Sequence, residues 1–308
     1  MDVIARAIVG REALQFSSTE AFWAWHVEDA AGLERPVDRA IAGGSAVDRP
    51  GFAFAAGYGA ALHALLPILG RSTLASLAAT EEGGAHPRAI QTTLTHEGPV
   101  WRLSGHKRWV ILAGTKLLVL ARVAQQPGES PEARARLRVA LVERSRAGVQ
   151  IVPQPPAPFV PEVMHAEVVL DRVEVRDDDL LPGDGWDDWV KPFRTVEDIH
   201  VHAAILAYLL SVGARAQWPT AVRERLASLL VSLRALAAES PRSPGVHLAL
   251  AGAIAGTRAV VEELSPLWSE VPEPVRAAWE RDRVLLDVAG KARTARTVRA
   301  WEQLTQYR

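Results

Sequence analysis

The chain has no cysteine, so disulfides, thiol nucleophiles and thiolate metal sites are excluded together. Methionine occurs twice and tyrosine three times. Lysine is nearly as scarce: of 35 basic residues only Lys107, Lys116, Lys191 and Lys291 are lysine, and the rest are arginine. No sign of charge dominates, because 36 acidic residues leave a net charge of -1. A bulk electrostatic drive toward nucleic acid is therefore missing. No run of about 18 consecutive apolar residues occurs, which argues against a membrane span. The opening MDVIARAIVGREALQF is interrupted by Arg6, Arg11 and Glu12, so no secretory leader is expected and the location predicted is cytoplasmic. What is present is ordinary globular material: 308 residues, 48% hydrophobic and 23% charged. That length corresponds to about two domains at roughly 150 residues each, or to one elaborated domain.

Three compositional zones follow along the chain, at 1–75, 76–183 and 184–308. The first reads as helical. Ser17, Ser18 and Thr19 precede Glu20 and the apolar Phe22, Trp23 and Trp25, a capped helix start. Residues 50–67 are rich in alanine and glycine, with Tyr58, Leu62, Leu65 and Leu66 at helical spacing. Gly57 and Gly59 lower helix propensity there but permit close packing, so a buried helix is expected. The second zone carries short β-branched runs at 91–95, 100–103, 106–111, 117–123, 138–142 and 167–175, broken by glycine and proline. Ser104-Gly105 reads as a turn between two of them, and the pattern predicts an antiparallel β-sandwich or barrel. Residues 125–135 form a polar loop, and the proline-dense 153–161 must be extended. In the third zone 203–212 is apolar, and Leu226, Leu229, Leu230, Leu233 and Leu236 make one stripe. Residues 246–264 form a further helix, with Gly252 and Gly256 on a close-approach face. Val284, Val288, Ala292, Ala295 and Val298 mark a last amphipathic helix, and together these predict a four-helix bundle. The fold class expected is α+β: helical segment, β domain, helical bundle.

Several chemistries have no signature here. His-Glu-x-x-His, a phosphate-cradling glycine-rich loop ending in Lys-Ser/Thr, and a Gly-x-Ser-x-Gly elbow are all missing. His200 and His202 are two apart, which on a helix turns them about 200° away from each other, so no shared metal is expected.

The middle zone carries a more specific pattern. Thr80-Glu81-Glu82-Gly83-Gly84, then Gly105-His106-Lys107-Arg108-Trp109, then Asp171-Arg172-Val173-Glu174-Val175 resemble the acyl-CoA dehydrogenase family. The resemblance covers about residues 50–215 and implies a shortened N-terminal helical segment before the β domain and bundle. It implies α,β-dehydrogenation of an acyl-CoA thioester, in which a carboxylate removes the α proton and FAD takes the β hydride. Trp109 falls on the aromatic residue that packs against the flavin, at the end of a hairpin. Thr80 and Glu81 fall on the turn that lies along the flavin, and Val110 and Ile111 continue the strand beside it. A homodimer or larger assembly and an electron-transfer flavoprotein as acceptor are implied in the same way. One branch of the family places its base at the start of the first helix after the β domain, where Glu197 and Asp198 stand.

The match also departs from the family. Ile111 stands where the family has Thr or Ser, and Leu112 replaces Asn, removing a side-chain hydrogen bond of roughly 1 kcal/mol. Ala85-His86-Pro87 replaces Gly-Ser-Asp, and Pro87 removes a backbone donor. The helix that supplies an arginine to the FAD pyrophosphate has no counterpart. A descendant that binds acyl-CoA without redox chemistry is therefore the alternative. Each site residue also has a structural explanation: core packing for Trp109, a cap or turn for Thr80, and favourable helix N-terminal charge for Glu197 and Asp198. Arg281, Arg283, Lys291, Arg293, Arg296 and Arg299 give the last helix a basic side, read as a solvated face, with phosphate binding as its other use.

Overall fold

The computed structural model describes residues 2–124 and 135–306, so most of the loop expected at 125–135 lies outside the described residues. By packing, the chain divides into two units. One holds residues 2–68, 158–162 and 193–306; the other is formed by Leu69–Ala157, less the undescribed residues, and Val163–Pro192.

The first unit begins with helices α1 (Val3–Val9), α2 (Thr19–Asp29), α3 (Pro36–Ala46) and α4 (Pro50–Leu65). The cap read for α2 is present, with Ser18 Oγ accepting from the Ala21 amide at 3.2 Å. After the other unit come α5 (Lys191–Arg215, in this unit from Phe193), α6 (Thr220–Leu236), α7 (Pro244–Glu263), α8 (Glu273–Asp282) and α9 (Gly290–Thr305). Helix α4 is buried along nearly its whole length, as its small residues predict. A Cβ at Gly57 would come within 2.6 Å of Val201 Cα, and one at Gly44 within 2.1 Å of the Ala204 carbonyl oxygen. Those glycines let α3 and α4 touch α5 backbone to backbone, beside the packed Ala40, Ala60 and Ala204. A second core element is aromatic: Trp268 stacks on Trp279 at 5.1 Å, and Trp218 meets Trp268 edge-on at 5.4 Å.

Two helical stretches are long and apolar enough on average to cross a membrane, although neither is an uninterrupted apolar run. The window within Gly185–Arg215 is 94% buried, which marks a core helix. Pro244–Glu263 places Val246, Leu250, Ala253, Ile254, Thr257, Val260 and Val261 on one buried face, the pattern of a bundle helix.

The region read as one last helix is broken. Helix α8 passes into a 3₁₀ turn at Arg283–Asp287, and Ala289 adopts a left-handed conformation before α9. Val284, Val288 and Val298 are exposed, so the valine stripe is not the buried face. The face of α9 turned inward carries Arg293 and Arg296 instead, because both are drawn to the buried Asp198.

The second unit is a curled sheet of β1 (Ala75–Ala78), β2 (Thr93–Glu97), β3 (Val100–Ile111), β4 (Lys116–Val123), β5 (Leu137–Glu143), β6 (Val149–Pro153) and β7 (His165–Val175). Strand order is β1-β4-β2-β3-β7-β6, with β5 on β4. Four ladders are antiparallel, while β1–β4 and β2–β4 are parallel, a detail alternation cannot reveal. The inner face packs Leu94, Leu103, Val110, Leu117, Val119, Val142, Val168 and Val173 into one core.

Ser104-Gly105 is not a turn. Residues 100–111 form one continuous strand with bulges between Leu103 and Gly105 and between Lys107 and Val110. Gly105 is there because a Cβ would come within 2.4 Å of Thr92 Oγ1. The hairpin turn lies earlier, at Gly98-Pro99, where Gly98 has φ 61° and Glu97 pairs with Val100. Trp109 therefore sits at a bulge in a long strand rather than at a hairpin end.

Candidate functional site

The second β3 bulge places Arg108 and Trp109 against the single residue Glu167 of β7, since Lys107 pairs with Val168 and Val110 with Ala166. Trp109 adopts φ 57°, left-handed backbone that a bulky side chain rarely occupies. The residue is 62% exposed. By contrast Trp218, Trp268 and Trp279 are buried in the helical unit. A large apolar ring held outward on strained backbone is the feature of this sheet least explained by folding.

Its surroundings are polar and ordered. His165 meets the indole edge-on, with ring centroids 6.4 Å apart. Glu167 accepts from Arg108 Nε at 3.1 Å and lies 2.9 Å from His106 Nε2. Burial lowers the pKa of His165, favouring the neutral imidazole. The Arg108 amide donates to the Thr80 carbonyl at 2.8 Å, which brings the 80–84 turn alongside the bulge. That turn closes on itself through reciprocal Glu81 and Gly84 backbone bonds, with Gly84 at φ 94°.

The five residues assigned to a cofactor thus divide. Thr80 and Trp109 are brought together at the surface of the sheet. Glu81 turns inward, where its carboxylate takes Lys107 Nζ at 2.6 Å, the Gln91 amide at 2.6 Å and the Thr92 amide at 3.1 Å. Burial works against its charge, but Lys107 and the two donors outweigh burial and hold its pKa below the usual carboxylate range. Burial lowers Lys107 to about 8, against the pull of Glu81. Val110 is a core residue opposite Ala166. Ile111 is partly buried and offers no hydroxyl, and the Leu112 amide is already committed to the Met164 carbonyl at 2.8 Å. Pro87 costs the fold nothing: it opens a one-turn 3₁₀ helix, where an N–H would have no helical partner, and His86 Nδ1 caps the Arg88 amide.

Glu197 and Asp198 lie in the other unit, early in α5. Their environments separate them. Asp198 is clamped by Arg293 and Arg296, both at 2.7 Å. Burial opposes its charge, but the two guanidiniums prevail and lower its pKa. Glu197 is partly buried, and among the described residues its carboxylate takes no hydrogen bond. Burial first, and then the adjacent Asp198 charge, push it up to about 8, against Arg293 and Arg194. The basic side of the last helix is thus partly structural rather than a solvated face: Arg293 and Arg296 are the clamp, and Arg281 pairs with the buried Asp282 and with Glu162. His200 and His202 each turn Nδ1 onto their own helix, on the Val196 and Asp198 carbonyls at 2.7 Å. Among the described residues no group of three His, Asp or Glu could hold a metal.

Sequence reasoning names Lys107 within the strand motif and Arg293 and Arg296 within a basic run, but assigns none of them a buried carboxylate partner. Their partners are 26, 95 and 98 residues away, beyond any local pattern. The signal that could draw attention to Lys107 is a lone lysine inside a β-rich run of a lysine-poor chain.

No protein-family model and no curated protein matches the sequence. Solved structures do match. KijD3 in complex with FMN and a dTDP-linked amino-keto sugar aligns with TM-score 0.68 and 17% identity, over 99% of this chain and 90% of that one. FMN-bound TdsC from Paenibacillus sp. A11-2 aligns with TM-score 0.62 and 16% identity, over 99% and 92%. A glutaryl-CoA dehydrogenase from Mycobacterium smegmatis in complex with FADH2 aligns with TM-score 0.58 and 15% identity, over 97% and 85%. At such identities the likeness establishes the fold.

Proposed function

We propose that this chain, built on the acyl-CoA dehydrogenase fold, is a flavin-dependent oxidoreductase whose flavin ring rests on Trp109. The observation that carries this reading is the exposed indole in left-handed backbone at the β3 bulge. A tricyclic ring laid on that indole would cover apolar surface and gain an aromatic contact of about 1 kcal/mol beyond area burial. The fit is one-sided, because Ile111 and the committed Leu112 amide supply fewer donors than the platform implies. Affinity below that of tight flavoproteins follows. The three similar structures named above hold FMN or FADH2, so the ring common to both is the ligand proposed, with FAD the form implied by the sequence resemblance.

When bound, a flavin accepts a hydride, for an acyl-CoA thioester from the β carbon. The α proton then needs a base, and Glu197 suits that role better than Asp198. Two guanidiniums hold the Asp198 charge in place, whereas the Glu197 carboxyl has its pKa near 8 and no hydrogen bond among the described residues to restrain it. Proton removal by Glu197 requires its ionised form, so turnover rises with pH through about 8. An electron-transfer flavoprotein as acceptor and an assembly of two or more chains belong to the same reading.

The absorption spectrum of the purified protein, before and after addition of FAD or FMN, tests flavin binding. Acyl-CoA turnover with an artificial acceptor, compared in wild type and Glu197→Gln, tests the chemistry. A colourless protein that takes up neither flavin contradicts the proposal. The donor-poor strand end favours one second reading, a non-redox acyl-CoA-binding descendant. Glu197-dependent turnover would eliminate it.

A further inference from the structure

We infer that the buried Lys107–Glu81 pair is a positioning device that fixes the β3 bulge presenting Trp109, and that it serves ligand binding rather than folding. The inference rests on the flavin reading above. Lys107 is fully buried within the sheet unit, with its ammonium on Glu81. A buried ion pair adds little net stability, since two apolar side chains of similar volume do as well or better. What the pair supplies is direction. Glu81 gathers donors from Gln91, Thr92 and Lys107, and the neighbouring Thr80 carbonyl takes the Arg108 amide. Residues 80 and 81 therefore grip residues 108 and 107 at two consecutive positions, once by backbone and once by side chain.

The grip falls where it matters. The register of β3 on β7 is regular from Gly105 to Lys107 and resumes at Val110. A one-residue slip that absorbed the extra residue would send the following side chains to the opposite face. Trp109 would then compete with Val110 for the core. An apolar residue at 107 would fill the same space but accept several registers. The ammonium accepts the one that places it on Glu81.

The test uses the full chain labelled with 5-fluorotryptophan, the Trp109 resonance being assigned by its loss in Trp109→Phe. In the double variant Lys107→Met/Glu81→Gln, which removes both charges, the Trp109 resonance is expected to move or split. The other nine tryptophans should keep their positions. FMN affinity is expected to fall tenfold or more while the thermal midpoint stays near wild type. An unchanged Trp109 resonance, or unchanged FMN affinity, overturns the inference. Should the double variant fail to fold, Glu81→Gln alone decides between positioning and folding. A folded single variant with a displaced Trp109 resonance supports the positioning role; an undisplaced resonance, or a second failure to fold, ends it. Wild-type protein that binds no FMN defeats the flavin reading alone, and the fluorine resonance still decides the role of the pair.

Discussion

Trp109 concentrates the functional evidence in one side chain. Left-handed backbone costs a bulky residue roughly 1–2 kcal/mol, and an indole facing solvent recovers little of it by packing. Glycine at that position would relieve the strain. Trp109→Gly is therefore expected to melt at or above the wild-type temperature in calorimetry while weakening flavin binding at least about tenfold, the loss of a stacked aromatic surface. A drop in melting temperature comparable to that of a core truncation would show the indole to be structural. Glu197 makes a second residue-scale prediction. Its folded pKa lies above its unfolded value, so its contribution to stability is complete below about pH 4.5 and is lost as pH rises through about 8. Glu197→Gln keeps the uncharged form. Denaturant titrations should find it close to wild type at pH 4 and more stable by on the order of 1–2 kcal/mol at pH 9, a figure reduced for the partial exposure of the group.

Among elements, the junction of α5 with α9 depends on Asp198 and the two arginines that hold it. Asp198→Asn leaves two largely buried guanidiniums without their counter-charge, and a loss of about 3 kcal/mol in denaturant unfolding is expected. Hydrogen exchange should show α9 released first. An effect under about 0.5 kcal/mol would mean the clamp is a solvated surface pair after all. Legibility of the sequence is clearest at this scale. The α2 cap, the small-residue helix α4 and the runs of the sheet are readable because capping, close packing and β-branching are local properties. Gly105 misleads because a bulge and a turn ask for the same residue. The valine stripe of the last helix misleads because Val284, Val288 and Val298 have helical spacing across a stretch that breaks at 283–289. The Thr80 and Trp109 motif is legible as a resemblance. Its geometry is not, because exposure, φ and the Lys107–Glu81 bond arise from contacts between distant segments.

The whole molecule carries a pH response set by buried imidazoles. Burial lowers His26, His200 and His202 to about 4 each, so their contribution to stability is present above their unfolded value near 6.5 and is lost as pH falls through 4. Glu197 opposes this with a proton held in the folded state. Near pH 5 these four groups together take up about two protons on unfolding, or roughly 2.5 kcal/mol of stability lost per pH unit from them. Chemical denaturation at closely spaced pH values around 5 measures that slope, and a flat profile would contradict the buried, neutral state of the three rings. The acyl-CoA dehydrogenase fold places no such demand on chemistry, since a fold hosts many reactions and the site decides among them. The central claim is that a flavin lies on Trp109, and titration of FMN onto wild-type protein and onto Trp109→Gly, followed by flavin fluorescence, tests it most directly. Saturable quenching by the wild type and its loss in the glycine variant are the predicted result; equal quenching by both proteins, or none by either, would contradict it.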